Sequence, residues 1–525
     1  MSETGLASLV LRLDPSDPVA IAREDLHGGT ELPLGDRRLV VCDEIPRGHK
    51  VALSDLAERE TVSKYGQPIG ITTRPIAAGE HVHDHNLASL SRSPPARPAA
   101  GTRPSPALEP DSGRRRERAS PGAARTFEGF VRSDGRVGTR NYVAVISSVN
   151  CSATVVKRIA AAFSAPGALD DSPGVDGVIA ITHRSGCGLA ADGQGLELLR
   201  RTLSGYAAHP NVGGLALVGL GCEVNQISAL VDQFELAPGS PVSAITIQEL
   251  GGTVSAMREG VAQVRELLPV AGAARRSTVS ASSLTLGLNC GGSDAWSGVS
   301  ANPVLGAAVD MLVAAGGTAV LGETPEIHGA EHLLSARAAS PSVARQLIER
   351  VAWWERYAAA EGGNLDNNPS PGNRAGGVTT IEEKSLGAVA KAGSAPLQAV
   401  YQYAERVRVP GLVFMDTPGY DPVSVTGIVA GGANVLCFTT GRGSVYGCKP
   451  TPTLKLASTS ELYRRMADDM DFDCGAVLDG EASVTELGAA LFEEILAVAS
   501  GRPTKSEELD FGDEEFAPWQ LGAVM

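Results

Sequence analysis

Beyond about residue 126 the chain alternates short apolar runs with longer amphipathic stretches. The runs at 143–146, 177–181, 215–220, 284–288, 412–415 and 435–438 predict strands. The stretches at 153–163, 196–206, 303–315 and 340–358 repeat their apolar positions at helical spacing. That alternation predicts α/β layers with largely parallel sheets, which we divide into two lobes, 126–275 and 276–525. Residues 1–92 read differently: short β-rich pieces such as 38–41 and 69–72 lie between Gly and Pro turns, predicting a small, mostly β module. Between module and lobes, residues 91–125 hold seven prolines and eight arginines with almost no large apolar side chain. Such a segment cannot bury enough surface to offset its ordering entropy, so 93–125 is expected to be a flexible linker.

Composition narrows the function classes. A net charge of −15 over 525 residues opposes a sequence-independent grip on nucleic acid. No apolar run is long enough to span a membrane, and Met1-Ser2-Glu3-Thr4 lacks the pattern of a secretory leader, so a cytoplasmic protein is expected. Eight cysteines are too few for a disulfide framework.

In open α/β sheets ligands bind beyond the carboxyl ends of the strands, and here those ends are chemically rich. The predicted strands run into Asn150-Cys151, His183 to Gly188 with Cys187, Gly221-Cys222-Glu223, Asn289-Cys290-Gly291-Gly292-Ser293-Asp294, Asp416 to Asp421, and Thr440-Gly441-Arg442-Gly443. Singly, each cysteine reads as a small buried hydrophobe. Cys187, Cys222 and Cys290, each beside a glycine at a strand terminus, together point to metal ligands or a thiol-lined pocket. No CxxC pair occurs, so the spacing gives no support to an iron–sulfur centre, although it leaves one open. Arg442 lies where a bidentate clamp on a carboxylate is useful. In the amino-terminal module, three of the nine histidines fall within residues 81–85. On a strand, His81, His83 and His85 would share one face and converge on a metal ion. No nucleotide-binding fingerprint is present.

Taken together, these stretches resemble the altronate and galactarate dehydratase family of sugar-acid hydro-lyases. Gly48-His49-Lys50 with Lys64-Tyr65-Gly66-Gln67-Pro68-Ile69-Gly70 is similar to the family's amino-terminal SAF (β-clip-like) module. The body matches at 135–141, 183–188, 219–223, 290–298, 368–373 and 440–443. Residues 415–422 and 82–86 resemble the altronate branch, while the carboxyl-terminal runs also resemble the large subunit of sulfolactate sulfo-lyase.

The resemblance implies dehydration of D-altronate to 2-dehydro-3-deoxy-D-gluconate, assisted by Fe2+ or Mn2+. By residue type, His183 or Lys64 is the expected base and His49 or Tyr65 the expected acid. Arg140, Asn141, Ser293, Asp294, Asn373 and Arg442 are expected to hold the polyol, and His83, His85, Cys187, Cys222 and Cys290 to hold metal. Galactarate dehydration, a sulfo-lyase, a thiol oxidoreductase and a non-catalytic sugar-acid sensor are the alternatives. The expected partner is a small sugar acid, with homo-oligomerisation left open.

Overall fold

The computed structural model describes residues 9–34, 37–90 and 125–522. The expected linker therefore lies, apart from Arg125, outside the described residues. No helix among the described residues is long and apolar enough to cross a membrane.

The amino-terminal module is built from short antiparallel strands. Val10–Leu11, Val19–Ala22, Lys50–Ala52 and His81–Val82 form one sheet, and Thr61–Lys64, Gln67–Thr72 and Leu87–Ala88 another. The strand carrying His81 stops after Val82, because Asn86 closes a turn: its Oδ1 accepts the His83 N–H at 2.9 Å and its own N–H donates to the His83 carbonyl at 3.0 Å. His83 and His85 therefore do not share a strand face with His81, as the alternation had predicted.

The first lobe carries a four-stranded parallel sheet in the order Gly177–Ile181, Tyr142–Ser147, Val212–Gly219, Val242–Thr246. The second carries a seven-stranded parallel sheet in the order Leu397–Tyr401, Gly411–Met415, Thr318–Leu321, Thr285–Cys290, Val435–Thr440, Thr453–Ala457, Phe472–Asp473. Central strands are apolar on both faces because helices cover both. Leu286, Leu288, Leu412 and Phe414 pack in one core cluster, and Leu436 and Phe438 in a second that also includes first-lobe residues. The predicted helices form at Ala153–Ala161, Gln194–Ala207, Ala301–Ala314 and Pro341–Ala360. The last begins where Ser340 caps the Val343 N–H and Pro341 occupies the first turn, where no intrahelical donor is needed.

Two residues matched as substrate binders are instead held in structural hydrogen bonds. Arg140 is buried and forks onto Glu507 at 2.6 and 2.8 Å, while donating to the carbonyls of Thr139, Val498 and Arg502. Its donors are consumed by the fold. Asn141 is fully buried and donates to the carbonyls of Gly174 and Ala271. Across the lobe boundary, His209 donates to the Ala433 carbonyl at 2.9 Å and Thr139 Oγ1 to the Asn434 carbonyl at 2.6 Å.

The module is fastened to the second lobe. Lys50 and Lys64, both fully buried, each reach Glu383 at 2.8 Å, one per carboxylate oxygen. Lys50 also donates to the Gly377 carbonyl at 2.9 Å and to Thr379 Oγ1 at 2.7 Å. Backbones approach closely here: a Cβ on Gly377 would fall 2.3 Å from the Gly48 carbonyl oxygen. Val62, Ile69 and Val82 join the same apolar cluster as Leu286 and Leu288. One side of the module thus joins the body's core, while Leu26, Leu32, Ile45 and Val51 pack in a cluster of the module's own. Removing one partner of a buried ion pair strands the others, so Glu383→Ala should cost about 3–5 kcal/mol in urea unfolding. A loss below about 1 kcal/mol would mean that the lysines find water instead.

Candidate active site at the strand ends

The seven-stranded sheet changes direction at its first strand, Thr285–Cys290, which has the Thr318–Leu321 strand on one side and Val435–Thr440 on the other. Ligands of such sheets bind at this switch point. Cys290 is the last residue of the central strand, and its neighbours there are acidic. Its Sγ lies 3.6 Å from Glu323 Oε2 and 3.3 Å from Glu326 Oε2, and its N–H donates to Glu323 at 3.2 Å. Among the described residues, these three form the one set of His, Cys, Asp or Glu ligand atoms lying within 4.8 Å of one another.

Glu323 follows the Thr318–Leu321 strand and adopts φ 65°, a left-handed conformation costly for a non-glycine residue. Thr417 Oγ1 accepts its N–H at 2.6 Å and holds the kink. Two lysines face the carboxylates: Lys391 reaches Glu323 at 3.1 Å, and Lys384 reaches Glu326 at 2.6 Å and Asn368 at 2.8 Å. Burial, reinforced by Glu326, raises the Glu323 pKa. Burial also opposes ionisation of Glu326, but Lys384 and Lys391 outweigh it and lower its pKa. Asp421, at the start of the helix Asp421–Ala430, accepts from Asn289 at 3.3 Å. Burial first, then Glu326, pushes its carboxyl up to about 7. Burial raises the Cys290 thiol. Four acidic groups face two ammoniums, so full ionisation leaves two negative charges, the number one divalent cation neutralises. Glu323 Oε1 is buried without a hydrogen-bond partner. These donors fit a divalent metal.

Beside this cluster a narrow cleft is lined by Lys64, Tyr65, Ser293, Asp294, Glu383 and Lys384. Adjacent residues on the helix Ile381–Val389 thus serve both places, Glu383 the module's lysines and Lys384 the acidic cluster. Tyr65, like Glu323, is a non-glycine residue with positive φ, 61°. Asp17 fixes its turn by accepting the N–H groups of Tyr65 and Gly66, each at 2.9 Å. A Cβ on Gly298 would lie 2.6 Å from the Tyr65 hydroxyl, so glycine there makes room for the ring.

The structure brings together Lys64, Tyr65, Ser293 and Asp294, and sets Cys290 one turn of loop away. Asn373 donates to the Ser293 carbonyl at 2.8 Å and shapes that loop. Asp294 accepts from Ser297 and Ser458, which makes it a loop clasp. Arg442 is exposed, and its N–H binds the Gly292 carbonyl at 2.8 Å.

Other expectations are corrected. Lys64 cannot act as a neutral base: burial alone would lower its pKa, but Glu383 raises it, so the ammonium persists. His183 is occupied, donating from Nε2 to the Ser147 carbonyl at 3.0 Å and accepting at Nδ1 from Ser185 at 3.2 Å. His83 likewise donates to the Arg374 carbonyl and accepts from the Asp84 N–H, which leaves neither ring nitrogen for a metal. His85 is exposed, with its ring 5.2 Å from that of His81. His49 donates to the Ala375 carbonyl at 3.4 Å and meets His81 at 3.0 Å; burial, then His83, depresses it to about 4, so it is no acid at neutral pH. Cys187 and Cys222 are exposed on the first lobe and do not join Cys290.

Glu323, Glu326, Lys384, Lys391 and Glu383 were missed by the sequence reading. The signal was present: Thr318-Ala319-Val320-Leu321 is an apolar run ending at Gly322-Glu323. Its four residues, following directly on a predicted helix, merge with that helix's tail.

Comparison with known proteins agrees with this architecture. Residues 8–90 match the altronate/galactarate dehydratase SAF domain, 129–272 the D-galactarate dehydratase/altronate hydrolase second domain, and 281–524 the D-galactarate/altronate dehydratase C-terminal domain. Altronate dehydratase of Escherichia coli K12 is 34% identical over 98% of this chain and 99% of its own. The chain belongs to the altronate/galactarate dehydratase family. It is a hydro-lyase. Galactarate dehydratase (L-threo-forming) of the same organism is 37% identical over 94% of this chain and 93% of its own. The (2R)-sulfolactate sulfo-lyase subunit beta of Chromohalobacter salexigens is 34% identical over 76% of this chain and 98% of its own.

His183 and His209 are buried, and desolvation lowers their pKa values to about 4 and about 3. Unfolded imidazoles titrate near about 6.5. The stability their neutral rings contribute is present above that value and lost as pH falls through the folded values. The thermal midpoint should therefore drop between pH 6.5 and 4, and His183→Gln should drop less steeply by calorimetry. A wild-type midpoint flat across this window would contradict the assignment.

Proposed function

We propose that the chain dehydrates D-altronate to 2-dehydro-3-deoxy-D-gluconate, removing the C2 proton and expelling the C3 hydroxyl at the Cys290 cluster. The observation that carries this reading is a carboxyl raised toward neutrality, Asp421, beside a buried thiol–carboxylate set at the switch point. The family's end-to-end match to altronate dehydratase supports the substrate.

The hard step is proton removal next to a carboxylate, since the resulting dianion needs stabilising positive charge. Fe2+ or Mn2+ held by Cys290, Glu323 and Glu326 would supply Lewis-acid stabilisation of that charge. Lys384 and Lys391 already place two ammoniums there and favour an anionic substrate. Asp421 takes the C2 proton, because a base poised near neutral pH combines availability with driving force. Burial raises the Tyr65 phenol, so it keeps its proton and donates to the departing C3 hydroxyl. Lys64 stays charged on Glu383 and fixes the Tyr65 ring, its Nζ lying 4.9 Å from the ring centroid. Arg442, at the rim, meets the substrate carboxylate.

With altronate, kcat/KM should rise with pH through about 7, as Asp421 loses its proton. Asp421→Asn should reduce kcat by about 10²–10⁴-fold and abolish C2–H exchange in deuterated water. Retained exchange would assign the base elsewhere. Cys290→Ala with Glu323→Gln should abolish the Mn2+ that the protein takes up on loading with that ion, read by elemental analysis, while leaving the circular dichroism unchanged. Turnover of galactarate or sulfolactate in place of altronate would overturn the substrate assignment and leave the site intact.

A further inference from the structure

The first lobe has a switch point of its own, which the proposed reaction leaves unused. Its sheet begins at the strand Tyr142–Ser147 and adds Gly177–Ile181 on one side and Val212–Gly219 on the other. Each of these three adjacent strands is followed by a cysteine: Cys151, Cys187 and Cys222. All three are exposed, whereas Cys290, Cys437, Cys448 and Cys474 are buried. They are therefore not serving as small hydrophobes in the core.

Register places them on one rim. Ser147 pairs with Val218, and Cys151 and Cys222 each lie four residues beyond that pair. On the other side Ile146 pairs with Ile181, which leads into the loop carrying Cys187. The three loops are tied directly to one another. The Asn150 N–H donates to the Ser185 carbonyl at 2.9 Å, the Asn225 N–H to the Gly186 carbonyl at 3.1 Å, and Asn225 Nδ2 to the Ser148 carbonyl at 2.8 Å. Gln248 donates to Cys222 Sγ at 3.4 Å. Gly186, at φ 100°, permits the approach: a Cβ there would stand 2.5 Å from the Ser148 carbonyl oxygen. His183, occupied at both nitrogens, anchors the Cys187 loop to the central strand.

We propose that Cys151, Cys187 and Cys222 ligate an iron–sulfur cluster through three thiolates, leaving one iron open to an oxygen ligand. A single tetrahedral ion with bonds of about 2.3 Å needs its sulfurs within about 4 Å of one another. The three thiols do not meet even a 4.8 Å limit. A cluster accepts the wider spacing because each thiolate binds a different iron. The site is separate from the Cys290 cluster and does not depend on the identity of the substrate. Cys151 sits in the turn Asn150–Ser152 that leads into the helix Ala153–Ala161.

The test uses the full-length protein, purified without oxygen and reconstituted with Fe2+ and sulfide. About four acid-labile sulfides per chain, with a Mössbauer spectrum of a cluster having one distinct iron, are expected. Cys151→Ser, Cys187→Ser and Cys222→Ser should each lose most of the labile sulfide while keeping the wild-type circular dichroism. Cys42→Ser and Cys290→Ala should retain it, so failure of the Cys290 assignment would not be mistaken for failure of this one. Absence of labile sulfide from the reconstituted wild type would overturn the proposal. So would a disulfide among the three cysteines by mass spectrometry, or a cluster that survives in the triple serine variant.

Discussion

The buried carboxylate of Glu383 is the constraint on which the catalytic half of this molecule depends. Two ammoniums from the amino-terminal module share its two oxygens, and burial makes that arrangement all-or-none, since any one charge left alone would be stranded away from water. Burial opposes ionisation of Glu383, but Lys50 and Lys64 overcome it and hold its pKa far below the usual carboxylate range. The pairing fixes the module to the helix Ile381–Val389, and with it the position of Tyr65. One residue along, Lys384 reaches the acidic cluster, so docking and substrate chemistry are set by the same turn of helix.

On the proposed reading, the module is a wall of the active site. Its Val62, Ile69 and Val82 belong to the same cluster as the central strands of the second lobe, and its Lys64 and Tyr65 line a cleft completed by Ser293 and Asp294. A cavity of about 950 Å³ lies elsewhere, between the lobes, lined by residues such as Arg136, Thr285 and Asn434. Size does not locate the chemistry here. Parallel sheets direct their ligands to the carboxyl ends of the strands, where the loops diverge.

Both sheets follow this rule, with different chemistry at the two switch points. The seven-stranded sheet gathers a buried thiol, carboxylates and lysines, a desolvated set in which charges interact strongly. The four-stranded sheet gathers exposed thiols on glycine-hinged loops. A metal-dependent lyase reading is compatible with the first site on its own, and the second adds a chemically distinct neighbour on the same chain.

The strands, the helices and the Cys290 strand end were legible from the apolar periodicity, because buried parallel strands must be apolar and helices must carry a stripe. The matching runs taken together in order, from 48–50 and 64–70 through 290–298 to 440–443, also identified the family. What the periodicity could not convey was pairing between distant residues. His183, His49, His83 and Arg140 look like site groups by type, yet each is engaged by a carbonyl or carboxylate far along the chain. Glu323 and Glu326 follow a strand too short to be told from a helix end, and Lys391 and Glu383 sit on a helical stretch whose charges look solvated until packing buries them. Sequence alone thus determined the element order, the family and the strand ends that carry reactive groups, since those follow from local pattern. Only the tertiary structure decided which groups remain available for chemistry, because availability depends on burial and hydrogen-bond partners, and those are set by how the chain packs.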